Sequence, residues 1–357
     1  MRRLIVFVGN CQLDALAQLY QRLAAAPDDE VVYLASYRPA ADAERDHVAE
    51  ADILLRQVLD FAPRVGDVAT RAETHLIPHI AAPFLWPCTG APHPRNAPAP
   101  MLDASGPYPA ELGDSFLDRL IAAGVPAGDA VAQYLDTDLA ALRQAGRMAE
   151  IVLDRQRSRD RACGTGFAEL IAARIGKERL FRSPNHPEPA MFAALAGEAF
   201  GRIGVASAVL EQLATSPPEG FFPTTETPIH PSIIAHFGLR YAGPETRYHY
   251  FNEGRFSFVE FADRYMRYEW NAALAEAFHL FWRGQDVAAI SAFVAALPGA
   301  PRSAAGRFVL SELLGRQGRM TEALEPARAA AELEPENPHY RGRFEWLSSR
   351  LKDANAA

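Results

Sequence analysis

The run Leu4-Ile5-Val6-Phe7-Val8 constrains this chain more than any other stretch. Five consecutive large or β-branched apolar residues offer no face to water. Such a run reads as a strand buried on both faces, as in a parallel sheet. Gly9 and Asn10 follow, and both tolerate a tight turn. Leu13, Leu16, Ala17 and Tyr20 then recur at helical spacing. Val31-Val32-Tyr33-Leu34 predicts a second strand, after a polar turn at Pro27-Asp28-Asp29. Residues 51–57 predict a third, ending at Gln57. Strand, helix, strand, helix, strand is the order of βαβ units. The expected fold class is therefore α/β, a parallel sheet flanked by helices.

This pattern places Cys11 on a strand-to-helix turn, at or just inside a helix N-terminus. Backbone N–H groups there lack partners and the helix dipole favours negative charge. A thiol in that position tends toward the nucleophilic thiolate. A small buried hydrophobe filling the turn is the other reading of a free cysteine. The residues alone leave both open.

Composition narrows the classes. Acidic residues outnumber basic ones by 44 to 36, for a net charge of −8, which argues against nucleic acid or an anionic membrane as the main partner. Cys11, Cys88 and Cys163 are too few and too scattered for a disulfide framework or a zinc knuckle, so no metal is expected. The N-terminal apolar run is too short for a signal peptide, and no stretch reaches bilayer-spanning length. Cytoplasmic localisation is the expectation.

Residues 78–110 are proline-rich and aperiodic, the mark of a functional loop or insertion. Residues 111–180 read as mostly helical. In Gly113-Asp114-Ser115, Asp114 or Ser115 is expected to cap a helix. A short strand is expected at Leu180-Phe181-Arg182, before Ser183-Pro184-Asn185-His186-Pro187 and a helix over 190–200. Residues 215–260 are loop-rich and aromatic.

The C-terminal part changes character. Gly284-Gln285-Asp286-Val287-Ala288-Ala289-Ile290 aligns with Gly318-Arg319-Met320-Thr321-Glu322-Ala323-Leu324 at an offset of 34 residues, the tetratricopeptide period. The expected division is an α/β catalytic domain at 1–262 and helical tetratricopeptide-like repeats at 263–357. Two repeats present little concave surface, which favours a structural cap or self-association over a groove for a protein partner.

A nucleophilic thiol needs a base in reach. His93, His186 and His230 each precede a proline, which pushes them out of helical geometry and onto loops. His186 follows an expected strand and opens a helix, mirroring Cys11. Such edges line the ligand crevice of open α/β sheets. His230, in Thr227-Pro228-Ile229-His230-Pro231-Ser232, is the second candidate and His93 the third.

Gly9-Asn10-Cys11-Gln12 after a first strand, with Pro184-Asn185-His186-Pro187 and Pro228-Ile229-His230-Pro231-Ser232 later, resembles the WcbI family of capsular polysaccharide biosynthesis proteins over roughly residues 1–260. The motif is also similar to the first block of SGNH (GDSL-type) hydrolases and O-acetyltransferases, with sulfur in place of oxygen. Ser183-Pro184-Asn185-His186-Pro187 resembles their last block, with Ser183 where the acid belongs. The resemblance implies an SGNH-like fold and coenzyme A or acetyl-coenzyme A as co-substrate. It further implies acetyl transfer to a polysaccharide or glycan precursor.

Under that resemblance Cys11 is the nucleophile and His186, or else His230, the base. Gly9, Asn10, Gln12, Gln57 and Asn185 surround the oxyanion and substrate. Arg38, Arg56 and Arg182 lie beside strand ends and suit the coenzyme's phosphates. Two alternatives stand beside it. One is a cysteine thioesterase or esterase that uses water. The other is a non-catalytic coenzyme A- or glycan-binding module with a partner-binding tail.

Overall fold

The computed structural model describes residues 3–37, 39–60, 68–96, 108, 112–250, 254–268, 271–301, 303–335 and 337–356. In chain order the elements begin β1 (Leu4–Gly9), α1 (Cys11–Leu23), β2 (Glu30–Ala35), α2 (Asp42–Glu50), β3 (Ile53–Val58) and β4 (Glu73–Pro78). Helices α3 (Ser115–Ala122), α4 (Ala127–Asp136), α5 (Leu139–Leu142), α6 (Ala145–Cys163), α7 (Phe167–Arg174), α8 (Pro189–Arg202), α9 (Ser207–Thr215) and α10 (Pro231–Phe237) follow. The rest is β5 (Tyr248–His249), β6 (Arg255–Phe256), α11 (Phe258–Met266), α12 (Ala272–Trp282), α13 (Asp286–Ala296), α14 (Ala304–Arg316), α15 (Met320–Leu333) and α16 (Pro338–Ala356).

The chain forms two compact units, each from two stretches of chain. The first comprises Met1–Pro87 and Thr137–Gly243, and the second Cys88–Asp136 and Pro244–Ala357.

In the first unit β1 to β4 make one parallel sheet in the order β2-β1-β3-β4. The apolar run of β1 is buried on both faces, as its sequence requires. Ile5 and Phe7 join Leu13, Leu16 and Tyr20 of α1 and Phe192, Leu195 and Phe200 of α8 in the main core. Val6 and Val8 turn the other way, onto Leu34, Val48 and Leu54 beside α2. Each such fully buried side chain contributes about 1.5–3 kcal/mol. The strand β4 carries Glu73, Thr74 and His75 among its residues and has no apolar run to announce it. The strand expected at Leu180-Phe181-Arg182 is instead a single antiparallel bridge between Phe181 and Pro187. Two prolines, and only five residues between the bridge partners, leave no room for a ladder.

In the second unit Asp114 caps α3, accepting from the Phe116 and Leu117 N–H groups. His93 is buried against the rings of Tyr108, Tyr265 and Tyr268. Its Nε2 donates to the Tyr265 carbonyl at 3.0 Å and its Nδ1 accepts from Arg95 N–H at 3.1 Å. Burial holds this imidazole down at about 4. Both ring nitrogens are thus taken up by the fold. In the helical part, α12 packs on α13, α14 on α15 and α15 on α16 around Phe293, Leu313 and Leu347. Helices α13 and α15 begin at Asp286 and Met320, 34 residues apart. Both are preceded by a glycine in the left-handed region, Gly284 at φ 70° and Gly318 at φ 74°. Among the described residues, no helix is long and apolar enough to cross a membrane.

Candidate functional site at the carboxyl end of the sheet

The Gly9-Asn10-Cys11-Gln12 turn joins β1 to α1 at the carboxyl edge of the parallel sheet. Gly9 is required by close approach. A Cβ there would lie 2.6 Å from Leu13 Cγ and 2.7 Å from Gln57 Oε1. Asn10 is the N-cap of α1, and its side-chain oxygen accepts from Gln12 N–H at 2.9 Å. Cys11 is the first helical residue and is half-buried, which is the placement expected from the sequence.

Gln12 is fully buried and binds this turn to its surroundings. Its Nε2 donates to the Ile80 carbonyl at 2.7 Å and to the Asn185 carbonyl at 2.8 Å. Its Oε1 accepts from Ile80 N–H at 3.2 Å and from Gln57 Nε2 at 3.3 Å. Gln57 Oε1 in turn accepts from Asn10 N–H at 2.9 Å. The Gln12 amide, expected to face an oxyanion, therefore gives both its hydrogens to backbone carbonyls. It acts as a brace between α1, the end of β4 and the loop at 183–187.

That loop carries His186. The Phe181–Pro187 bridge closes it, and Ala82 N–H donates to the Pro184 carbonyl at 3.0 Å. His186 Nδ1 lies 3.0 Å from Ser183 Oγ, with both residues buried. The ring also packs on Phe222, with centroids 5.4 Å apart. Burial first, and then the charge of Arg182, lower the imidazole to about 4, so it is neutral at neutral pH. Ser183, which stands where an acid was missing, supplies the neighbour of Nδ1.

His230 stands at the start of a helix. It is the N-cap of α10, and its Nδ1 accepts from Ser232 N–H at 3.2 Å, with Ser232 Oγ at 2.9 Å. Two of the three arginines, Arg56 and Arg182, lie among the described residues. Arg56 pairs in register with Val8, on the sheet face opposite Gln57. Arg182, expected at a phosphate, pairs with Glu188 at 2.8 Å. Arg38 lies outside the described residues.

Sequence reasoning missed Tyr33. It sits on β2 in register with Phe7, and its hydroxyl donates to the Gly9 carbonyl at 3.1 Å. Burial is the main cause that pushes this phenol well above its ordinary range. Tyr37, Asp14 and Cys11 add to the shift, which puts the hydroxyl in the electrostatic neighbourhood of the thiol. A tyrosine amid the valines of a strand gave no periodic signal of this contact. Among the described residues no group of three His, Cys, Asp or Glu side chains could hold a metal ion.

The family model of WcbI, a polysaccharide biosynthesis enzyme, matches residues 4–208. The chain belongs to the WcbI family. One solved structure is described as native WcbI, a novel polysaccharide biosynthesis enzyme, without a disulfide bond between coenzyme A and one of its cysteines. It shares 16% sequence identity and a TM-score of 0.53, over 75% of this chain and 90% of that one. At that identity the likeness is one of fold. No curated protein matches the chain.

Proposed function

We propose that this WcbI-family protein transfers an acyl group, acetyl in the first place, from coenzyme A to a hydroxyl of a polysaccharide or its precursor. Cys11 is the nucleophile and His186 the base. The observation that carries the reading is the Gln12 brace. One side chain, next to Cys11 in sequence, is hydrogen-bonded to the carbonyl of the residue next to His186. The wording of the solved relative, which sets coenzyme A beside a cysteine, supports the choice of thiol and donor.

In the first step Cys11 Sγ attacks the thioester carbonyl carbon, and the carbon–sulfur bond to coenzyme A breaks. His186 takes the Cys11 proton and returns it to the departing coenzyme A sulfur. In the second step the acceptor hydroxyl attacks the Cys11 thioester and loses its proton to His186, which passes it to the Cys11 sulfur. A neutral imidazole is the form this scheme needs at the outset. With the Gln12 amide engaged, the oxyanion falls to the α1 N-terminus and the Asn10 side chain, where the helix dipole adds favourable charge.

The sheet-edge motif supports an SGNH-like description of the first unit. The 34-residue recurrence of helix starts and left-handed glycines supports a tetratricopeptide-like description of 263–357. The absence of a spanning helix among the described residues fits a cytoplasmic enzyme acting on soluble precursors.

The test is thermal stabilisation by coenzyme A and acetyl-coenzyme A, followed by intact mass. Wild type should rise in midpoint with ligand concentration and gain one acetyl group that Cys11→Ala does not gain. An unmoved midpoint at millimolar ligand removes coenzyme A from the account. Binding without acetylation or transfer leaves a binding module, and release of acetate without an acceptor makes the protein a thioesterase.

A further inference from the structure

Arg182 sits at the base of the His186 loop, held through its backbone and both terminal guanidinium nitrogens, while its Nε is buried without a hydrogen-bond partner. Its N–H donates to the His186 carbonyl at 2.9 Å, and its own carbonyl accepts from Thr227 N–H at 2.8 Å. Its Nη2 pairs with Glu188 Oε2 at 2.8 Å across the mouth of the loop, and its Nη1 reaches the Pro223 carbonyl at 3.4 Å. Glu188 also pairs with Arg179 Nε at 3.2 Å, and Arg179 Nη1 pairs with Glu226 at 2.9 Å. The result is a row of alternating charges, Arg182, Glu188, Arg179 and Glu226, whose side chains are 10–24% exposed. It joins the segment that bears His186 to the segment that leads to His230.

We propose that Arg182 is the positioning residue of this site: with Glu188 it fixes the loop that presents His186, and it takes no part in binding phosphate. The inference rests on the reading of His186 as the base. A phosphate at Arg182 would have to displace a carboxylate that already neutralises the guanidinium in a half-dry setting. Positioning of this kind matters because a displacement of about 1 Å at a reacting group costs roughly a hundredfold in rate. After burial, the charge of Arg182 also helps to keep the ring neutral.

The experiment compares Arg182→Gln, Arg182→Lys and His186→Ala in the full chain. The first readout is the rate of Cys11 alkylation by iodoacetamide at neutral pH. The second is the midpoint shift given by coenzyme A and by dephospho-coenzyme A, which lacks the 3′-phosphate. Arg182→Gln should fold, since Glu188 keeps Arg179 as a partner.

The expected result is alkylation slowed about tenfold or more in Arg182→Gln, with both ligand shifts retained, and recovery of most of the rate in Arg182→Lys. Wild-type alkylation in Arg182→Gln would overturn the proposal. So would a loss of the coenzyme A shift with the dephospho-coenzyme A shift intact, which is the signature of a phosphate ligand. If His186→Ala alkylates at the wild-type rate, the base assignment fails on its own account. The NMR shift of the His186 Cε1 proton then decides the positioning claim: it should move in Arg182→Gln and return in Arg182→Lys, and an unmoved signal refutes it.

Discussion

His186 and His230 each stand before a proline, each is buried, and each lies in the same unit of the fold. Their Nδ1 atoms nevertheless do different things. In His230 it accepts the Ser232 N–H and so completes the start of α10. In His186 it meets a buried serine hydroxyl, on a loop braced to the Cys11 turn through Gln12. One ring closes a helix, and the other sits on a loop tied to the turn that carries the thiol. The proline dictates only that each residue leaves helical geometry. What the imidazole then does is decided by the polar groups it meets.

The sharpest way to break this contrast is substitution at both rings. His186→Ala should cost acyl transfer about two to four orders of magnitude, the range for loss of a positioned base. It should leave coenzyme A binding in place, measured by single-turnover kinetics and by midpoint shift. His230→Ala should instead cost about 1 kcal/mol of stability, the worth of a cap. His230→Asn, itself a good capping residue, should restore most of that stability and keep activity. Equal catalytic losses at the two positions would show that the division of labour drawn above is wrong.

The brace comes next in size. Gln12→Ala leaves the Ile80 and Asn185 carbonyls and the Ile80 N–H without a buried partner. At roughly 1–3 kcal/mol for each unsatisfied group, partly relieved by relaxation, a loss of about 3 kcal/mol is expected in denaturant unfolding. Activity measured well below the new midpoint should fall as well, because the His186 loop is then untied from α1. A stable Gln12→Ala protein with an altered His186 environment would show that the brace positions without stabilising. Loss of stability alone would reduce Gln12 to a core residue.

Much of the first unit is legible from its residues. The five apolar residues of β1, the turn at Gly9-Asn10 and the helical spacing after Cys11 are local signals, and locality is what sequence patterns report. The parallel sheet and the helix-terminal cysteine follow from them. The strand β4 was not legible, because an edge strand with Glu73, Thr74 and His75 carries no buried run. Nor was the bridge that replaces the strand expected at Leu180-Phe181-Arg182. The site itself divides the same way. Cys11 and His186 stand out as candidates from motif and position. The roles of Gln12, Ser183 and Tyr33 depend on partners 3 to 173 residues away in the chain. A buried amide reads in a sequence as an ordinary polar residue until its acceptors are known.

The neutral state of His186 makes the contrast visible in stability as a function of pH. Its folded value of about 4 lies below the ordinary value near 6.5. Between those limits the unfolded chain binds a proton that the folded chain does not. The stabilisation is complete above about pH 6.5 and is lost as pH falls toward 4, by on the order of 3 kcal/mol in all. His79 and His93, also held at about 4, add to the same slope. His186→Gln should therefore flatten the fall in unfolding free energy over this window by about one proton. An unchanged slope would mean that His186 binds protons alike in the folded and unfolded chain, and that burial does not hold its imidazole down.

The smallest expected effect separates the cap of α1 from the chemistry beside it. Asn10 Oδ1 accepts Gln12 N–H, so Asn10→Ala removes the cap and should cost about 1 kcal/mol. Asn10→Asp and Asn10→Ser both keep an acceptor and should recover that stability. They differ in what they offer the site. Neither retains the side-chain amide donor, and Asp adds a negative charge next to Cys11. If Asn10 only caps, Asn10→Ser should be as active as wild type. If its amide also supports the oxyanion, Asn10→Ser should be stable yet slower in the chemical step by about a hundredfold, the usual range for loss of one such donor. Asn10→Asp should be slower still, because its carboxylate opposes the charge that develops on the substrate oxygen.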